Sequence, residues 1–219
     1  MYNDSLLDEF YKLDSACISD SLDSLKISGG LVGIKPIVAG IKTVGYAYTV
    51  KYEPLENNEI FQNAGNYIDN VKSNSIIVID NKGRMDCTVW GNILTQFAVK
   101  NKINGTVING CARDIENIRS NKYPLFSAGS FMQSAKNRSK KVAEQITLMI
   151  NGVVINSGDI IFCDDNGCVV IPINLANEIL EKAKNVMANE EKIINAIVNE
   201  MSLEKAREMF SYSKPWDKK

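Results

Sequence analysis

Apolar residues first recur at helical spacing: Leu6, Leu7, Phe10 and Tyr11, then Ile18, Leu22 and Leu25. They predict two short helices within residues 2–26, with Asp14 or Ser15 as the cap of the second. Gly29, Gly30, Gly33 and Pro36 mark a loop. The β-branched and aromatic run GIKTVGYAYTVKY then reads as a strand, with Tyr46, Tyr48 and Tyr52 taken as packing residues. Ile60, Ala64, Tyr67, Ile68 and Val71 predict a helix over 57–71. SIIVID follows, an unbroken apolar run of the kind buried on both faces of a parallel sheet.

After a turn at Asn81-Lys82-Gly83, the positions Ile93, Leu94, Phe97 and Ala98 give one buried helix face starting from Gly91. GTVING is the next strand and DIENIRSN the next helix, so this stretch reads as parallel βαβ units. The rhythm changes after Pro124. Short strands QITLMI, GVVI, DIIFCD and CVVIP are separated by Asn151-Gly152, Ser157-Gly158 and Asn166-Gly167, all read as hairpin turns. Residues 173–211 carry a helical pattern rich in Glu, Lys, Ala and Ile. The expectation is an α/β fold of one domain over 1–219: a parallel layer, a hairpin layer and helices at both termini.

Composition narrows the function. In 219 residues, 45% hydrophobic content suffices for a core, and a net charge of -1 from 25 basic and 26 acidic side chains supplies no field to attract nucleic acid or anionic membranes. No apolar run approaches the roughly 18 residues of a membrane helix and the N-terminus lacks a leader-like pattern, so the expected location is cytoplasmic. Cys17, Cys87, Cys111, Cys163 and Cys168 are odd in number and scattered, which reads as buried reduced thiols. Cys111, near Arg113, is either an activated thiolate or a small residue filling a turn. The chain has 0 histidines, which excludes histidine-based triads and histidine-ligated metals and leaves oxygen ligands for Mg²⁺, Mn²⁺ or Ca²⁺.

Two strand ends carry the candidate chemistry. Gly91-Asn92-Ile93-Leu94 would offer backbone N–H groups at a helix start, and Arg113-Asp114 places two opposite charges after a buried strand. Neighbours along a chain point apart, so each charge is expected to have its own partner. Arg113 would clamp a substrate carboxylate, the 91–94 amides would hold the same anion, and Asp114 would anchor a metal against a keto oxygen, a set that suits a small 2-oxo acid. Beside this stands a structural reading in which Asp114 is an N-cap and Arg113 packs across a helix end. The early glycine clusters lack the Gly-Lys-Ser/Thr of a phosphate loop. Asp159 and Asp164-Asp165-Asn166-Gly167 lack calcium-loop spacing and read as turns.

The stretch WGNILTQFAVKNKINGTVINGCARDIENI, with YPLFSAG and SGDIIFCDDNGCVVIP further on, resembles the RraA-like family over about Ser15 to Pro172. That family includes divalent-metal-dependent 4-hydroxy-4-methyl-2-oxoglutarate/4-carboxy-4-hydroxy-2-oxoadipate aldolases and the RraA regulators of RNase E. The resemblance implies a layered α/β sandwich of the swivelling β/β/α type, assembled as homotrimers or hexamers with sites near subunit boundaries. It gives Arg113 a substrate role and Asp114 a metal role, with Mg²⁺ or Mn²⁺ as cofactor. Asn92 stands where the aldolases carry an acidic residue that holds a water for proton transfer, and Asp20 resembles a position that reaches a neighbouring subunit's site. The expected function is a metal-dependent lyase of 2-oxo acids, of the oxaloacetate decarboxylase or pyruvate-releasing aldolase type. The alternatives are a non-catalytic protein-binding regulator or a different small-molecule reaction on the same fold.

Overall fold

The computed structural model describes residues 4–56 and 65–216. It opens with helices α1 (Asp4–Tyr11) and α2 (Ser15–Ser24). Asp14 is the cap of α2: its backbone is extended and its carboxylate accepts the Cys17 N–H at 2.8 Å. Ser15 instead donates its N–H and hydroxyl to Asp164, at 2.9 and 2.8 Å. There follow β1 (Lys35–Pro36), β2 (Thr43–Pro54), β3 (Ser75–Trp90), α3 (Asn92–Lys100), β4 (Gly105–Ala112), α4 (Ile115–Ser120) and β5 (Leu125–Ser130). The second half holds β6 (Ser139–Glu144), β7 (Leu148–Ile150), β8 (Val153–Ile155), β9 (Ile160–Asp164), β10 (Gly167–Ile171), α5 (Ala176–Val198) and α6 (Leu203–Met209).

One sheet runs β1-β5-β4-β3-β2-β9-β10, with β6 on the far end of β2. β2 to β5 are mutually parallel, the layer expected from the βαβ spacing, and β1, β6, β9 and β10 join antiparallel. Side chains alternate across β3 as the pleat requires. Ile77 and Ile79 face a core with Trp90, Ala98, Ile118 and Tyr123 beneath α3 and α4, while Ile76 and Val78 face Leu148, Ile150 and Val153 of the β7–β8 hairpin. A third cluster packs α1, α2 and α5 on Val44, Tyr46, Phe162 and Ile171. Tyr46, Tyr48 and Tyr52 are buried, as packing residues should be.

Several expectations are corrected. In the helix expected over 57–71, residues 57–64 lie outside the described residues, and Asn66–Asn70 is a 3-10 turn. Asn81-Lys82-Gly83 does turn, with Lys82 and Gly83 left-handed at φ 55° and 67°, but the turn is an excursion within β3, whose pairing with β4 jumps from Asp80–Asn109 to Arg84–Gly110. Asn151-Gly152 closes the β7–β8 hairpin, whereas the β9–β10 loop is Asp165-Asn166 and Gly167 already pairs with Asp164. Ser157-Gly158 closes no hairpin. The Gly158 N–H donates to Ala47 and the Ala47 N–H to Asp159, so the turn docks on β2 and sends β9 into the main sheet. The buried Asp159 carboxylate accepts the Asn156 and Ile173 amides at 2.7 and 3.1 Å, and is therefore a turn brace. The C-terminal helical stretch breaks between Val198 and Ser202, where Glu200 is left-handed at φ 67° and Ser202 caps α6.

Candidate functional site

The ends of β3 and β4 lie side by side, with Trp90 paired to Ala112. Each strand passes directly into a helix, so both turns open on the same side of the sheet. The first turn is held by Trp90. Its indole is buried, stacks on Tyr123 with ring centroids 5.9 Å apart, and donates to the Thr95 hydroxyl at 2.9 Å, which in turn donates to the Gly91 carbonyl at 3.1 Å. The second turn is tied to the first where the Arg113 N–H donates to the Trp90 carbonyl at 3.0 Å.

Asp114 occupies the N-cap position of α4, but it is left-handed, at φ 59° and ψ 40°, and its side chain makes no capping bond to α4. That conformation costs about 1–2 kcal/mol in an L-residue and turns the carboxylate back over the first turn. Its Oδ2 accepts the Asn92 N–H at 2.7 Å, bridging the starts of α3 and α4. Oδ1 has no hydrogen-bond partner among the described residues. The two adjacent charges do approach, with Arg113 Nε 3.9 Å from Asp114 Oδ2, because the left-handed residue folds its side chain back. At that distance there is no hydrogen bond, and the Arg113 guanidinium makes no other side-chain contact to an acceptor among the described residues. Asp114 is thus the N-cap of α4 by position, as the structural reading has it, while its carboxylate takes the first N–H of α3 instead of one of α4.

Gly91 is required by close approach. A Cβ there would sit 2.7 Å from Asp114 Oδ2 and 3.3 Å from Arg113 Cγ and Nε. Of the amides expected to bind an anion, that of Asn92 is already taken by Asp114. Those of Ile93 and Leu94, in the first turn of α3, remain without helical acceptors. The Asn92 side chain accepts from Gln96 at 3.2 Å.

Around these groups lies an open cleft of about 630 Å³. It brings together Gly91, Asn92, Ile93, Leu94, Arg113 and Asp114, adds Tyr52 and Phe97, which the sequence pattern marked only as packing positions, and adds Asn66, Asp69, Ser134 and Lys136, which it did not single out. The positions of Asn66 and Asp69 depend on the 3-10 turn and those of Ser134 and Lys136 on the segment before β6, neither of which has a periodic signature. Asp20 is elsewhere: it sits on α2 over a small cavity shared with Asp23, Glu190 and Trp216. Cys111 is buried, and burial pushes its thiol pKa up, which removes the thiolate reading. All five cysteines are free.

Among the described residues, no group of three or more His, Cys, Asp or Glu side chains is gathered to hold a metal. The cleft offers a hard cation one carboxylate oxygen from Asp114, and Asp69 also lines it. That set fits an ion that keeps most of its waters, as Mg²⁺ does, and does not fit a closed protein cage.

A family model described as RraA-like, Aldolase/RraA, matches residues 15–170. Protein DlpA of Legionella pneumophila is 50% identical over 213 residues, which is 97% of this chain, while the chain spans 35% of that protein's length. The crystal structure of an uncharacterized protein from Pseudomonas syringae pv. tomato is 50% identical, with a TM-score of 0.90 and 95% of each chain covered. A Halalkalibacterium halodurans protein provisionally named 4-hydroxy-4-methyl-2-oxoglutarate aldolase is 30% identical over 191 residues, covering 86% of this chain and 87% of that one.

Proposed function

The chain belongs to the RraA-like family, and from that membership and the geometry of the cleft we propose that it is a divalent-metal-dependent lyase breaking a C–C bond in a 2-oxo acid. The observation that carries this reading is the pair of opposite charges at one crossing point, 3.9 Å apart with no hydrogen bond between them. Arg113 presents a guanidinium free of carboxylate hydrogen bonds, and Asp114 presents a free Oδ1, on the same wall of a large cleft.

In this reading Arg113 holds the substrate carboxylate in a charge-assisted fork, and the free Ile93 and Leu94 amides add dipoles of the same sign. Asp114 would hold Mg²⁺ or Mn²⁺, which when bound supplies Lewis acidity toward the keto oxygen beside that carboxylate. Breaking the C3–C4 bond leaves its electron pair on C3 as an enolate, and Arg113 stabilises the negative charge that remains in the pyruvyl unit. A proton then returns to C3 to give pyruvate.

Two leaving partners are possible. In decarboxylation of oxaloacetate the fourth carbon leaves as CO₂ and no hydroxyl proton has to be removed. In retro-aldol cleavage a hydroxyl on C4 must lose its proton as it becomes a carbonyl, and this needs a base. Asn92 cannot serve, since an amide takes no proton at neutral pH. Decarboxylation is therefore the favoured reaction, and Asp20 enters the chemistry only if a neighbouring subunit of a trimer or hexamer brings it to the cleft. The experiment is pyruvate release from oxaloacetate with and without Mg²⁺ or Mn²⁺. Metal-dependent release is expected. A rate equal to that of the free metal ion would remove the reading and leave a non-catalytic regulator.

A further inference from the structure

The peptide joining Gly91 to Asn92 is engaged on both sides. Its carbonyl accepts the Thr95 backbone N–H and the Thr95 hydroxyl, both at 3.1 Å. Its N–H donates to Asp114 Oδ2 at 2.7 Å. A trans peptide is a rigid plane with its C=O and N–H on opposite edges, so whatever fixes the Gly91 carbonyl also aims the Asn92 N–H.

A threonine hydroxyl bonded to the carbonyl four residues earlier is a common habit in helices. Here the bond has a direction imposed from behind. The indole N–H of Trp90 is a donor only, it is buried, and it donates to the Thr95 hydroxyl oxygen at 2.9 Å. The hydroxyl therefore spends its lone pair on Trp90 and its single proton on Gly91. Trp90 is itself held from the other side: its ring lies within 3° of parallel to that of Tyr123, whose hydroxyl is paired with the Thr106 hydroxyl at 2.9 Å. Thr95 is wholly buried and does not line the cleft, so it can act on a ligand only through this peptide.

The peptide matters to Asp114. Its left-handed backbone is unfavourable for an L-residue, and the bond from Asn92 is the one hydrogen bond its carboxylate makes among the described residues. That bond occupies Oδ2 and leaves Oδ1. We propose that Thr95 is a positioning residue of the site: by holding the Gly91 carbonyl, its hydroxyl aims the Asn92 N–H at Asp114 and so sets which carboxylate oxygen is offered to a ligand, and in what orientation. The inference rests on the lyase reading for what Asp114 holds and is independent of it for how Asp114 is held.

The test compares the native protein with Thr95→Ser, which keeps the hydroxyl, and Thr95→Val, which keeps the branched shape and loses it. Two quantities are read. One is deuterium exchange of the Asn92 amide by NMR, referred to the Ile103 amide, which bonds the Ala98 carbonyl at 3.0 Å just past the end of α3. The other is Mn²⁺ affinity by calorimetry. Partners that orient a metal ligand from outside typically contribute 10- to 100-fold in affinity, so Thr95→Val should weaken Mn²⁺ binding by about tenfold and speed exchange at Asn92 relative to Ile103. Thr95→Ser should match the native protein in both. If the valine variant does not fold, Thr95→Cys takes its place, because a thiol is close to serine in size and only a weak donor. Exchange that changes equally at Asn92 and Ile103, or a serine variant as impaired as the valine one, would assign Thr95 to structure alone and overturn the proposal. So would unchanged Mn²⁺ affinity in Thr95→Val when the native protein binds the ion. If the native protein binds no Mn²⁺ and Asn92 exchange still follows the hydroxyl, the lyase reading falls while the positioning of the carboxylate stands.

Discussion

The chemistry at residue scale depends on how little separates Gly91, Arg113 and Asp114. The Asp114 carboxylate lies where a Cβ on Gly91 would be, with only 2.7 Å between that position and Oδ2. Gly91→Ala should therefore displace the carboxylate, the more movable partner, and weaken Mn²⁺ binding by about tenfold or more, the change that about 1.4 kcal/mol produces. Since the crowded atoms belong to side chains at a half-exposed site, thermal stability should fall by no more than the roughly 2–4 °C that 1 kcal/mol corresponds to in a chain of this size. Normal metal binding by Gly91→Ala would show that Asp114 is not the anchor. Asp114→Asn is the companion variant: its amide oxygen can still accept the Asn92 N–H, so α3 should start normally while Mn²⁺ binding is lost in calorimetry. Arg113→Ala tests the other charge. Losing one partner of a charge-assisted pair costs about 2–5 kcal/mol, so oxalate affinity should drop by more than an order of magnitude at unchanged metal affinity. Equal oxalate binding by both forms would move the anion elsewhere in the cleft.

At the scale of elements, the site is the meeting of two strand-to-helix turns, and this much is legible in the sequence. SIIVID and GTVING each carry adjacent apolar residues, Ile76 to Ile79 and Val107-Ile108, that must be covered on both faces, which makes them neighbours in a parallel layer and brings Gly91 and Arg113 together. Two things stay hidden from local pattern. The left-handed backbone of Asp114 depends on what its side chain finds across the sheet, namely the Asn92 amide at 2.7 Å. The outer wall of the cleft comes from a 3-10 turn and from the segment before β6, which are fixed by tertiary contacts. The same geometry argues for a change of reaction in Asn92→Asp. The new carboxylate would stand at the start of α3, near Asp114, and two carboxylates sharing a site raise the pKa of one of them toward the range of a working base. General-base assistance contributes roughly 10²–10⁴ in rate. Retro-aldol cleavage should therefore rise by about two orders of magnitude relative to oxaloacetate decarboxylation, followed as pyruvate release from each substrate. An unchanged ratio would mean that the base lies elsewhere, and Asp69 and a neighbouring subunit's Asp20 would be the groups to replace next.

At the scale of the whole molecule, helices at both ends of the chain pack together against one face of the sheet. α1, α2 and α5 share a core built from Phe10, Ile18, Leu22, Ile179, Ala183 and Val186, which ties residues beyond the RraA-like match to its beginning. That union leaves an acidic pocket. Asp20 and Asp23 on α2 and Glu190 on α5 line a small cavity closed by Tyr212, Pro215 and Trp216, and its described lining holds no Lys or Arg. Burial first, then Asp23 and Asp14, raise the Asp20 carboxyl pKa; burial first, then Asp14 and Asp20, raise that of Glu190, against a lowering hydrogen bond from Cys17. A carboxyl whose folded pKa exceeds its unfolded value binds its proton more tightly in the folded state. Its stabilising contribution is fully present below the unfolded pKa and is lost as pH rises through the folded value, so at neutral pH both charges disfavour the union of α2 and α5. Glu190→Gln keeps the size and an acceptor for Cys17 but carries no charge. It should raise the melting temperature at pH 7 by about 1–2 °C, a fraction of a kcal/mol for a chain of this length, and the gain should vanish as native Glu190 becomes protonated toward pH 4. Calorimetric scans of both forms across that interval decide the matter. A gain of equal size at both ends of the range would assign the effect to packing, and a loss at pH 7 would show that the glutamate charge has a partner that favours the fold.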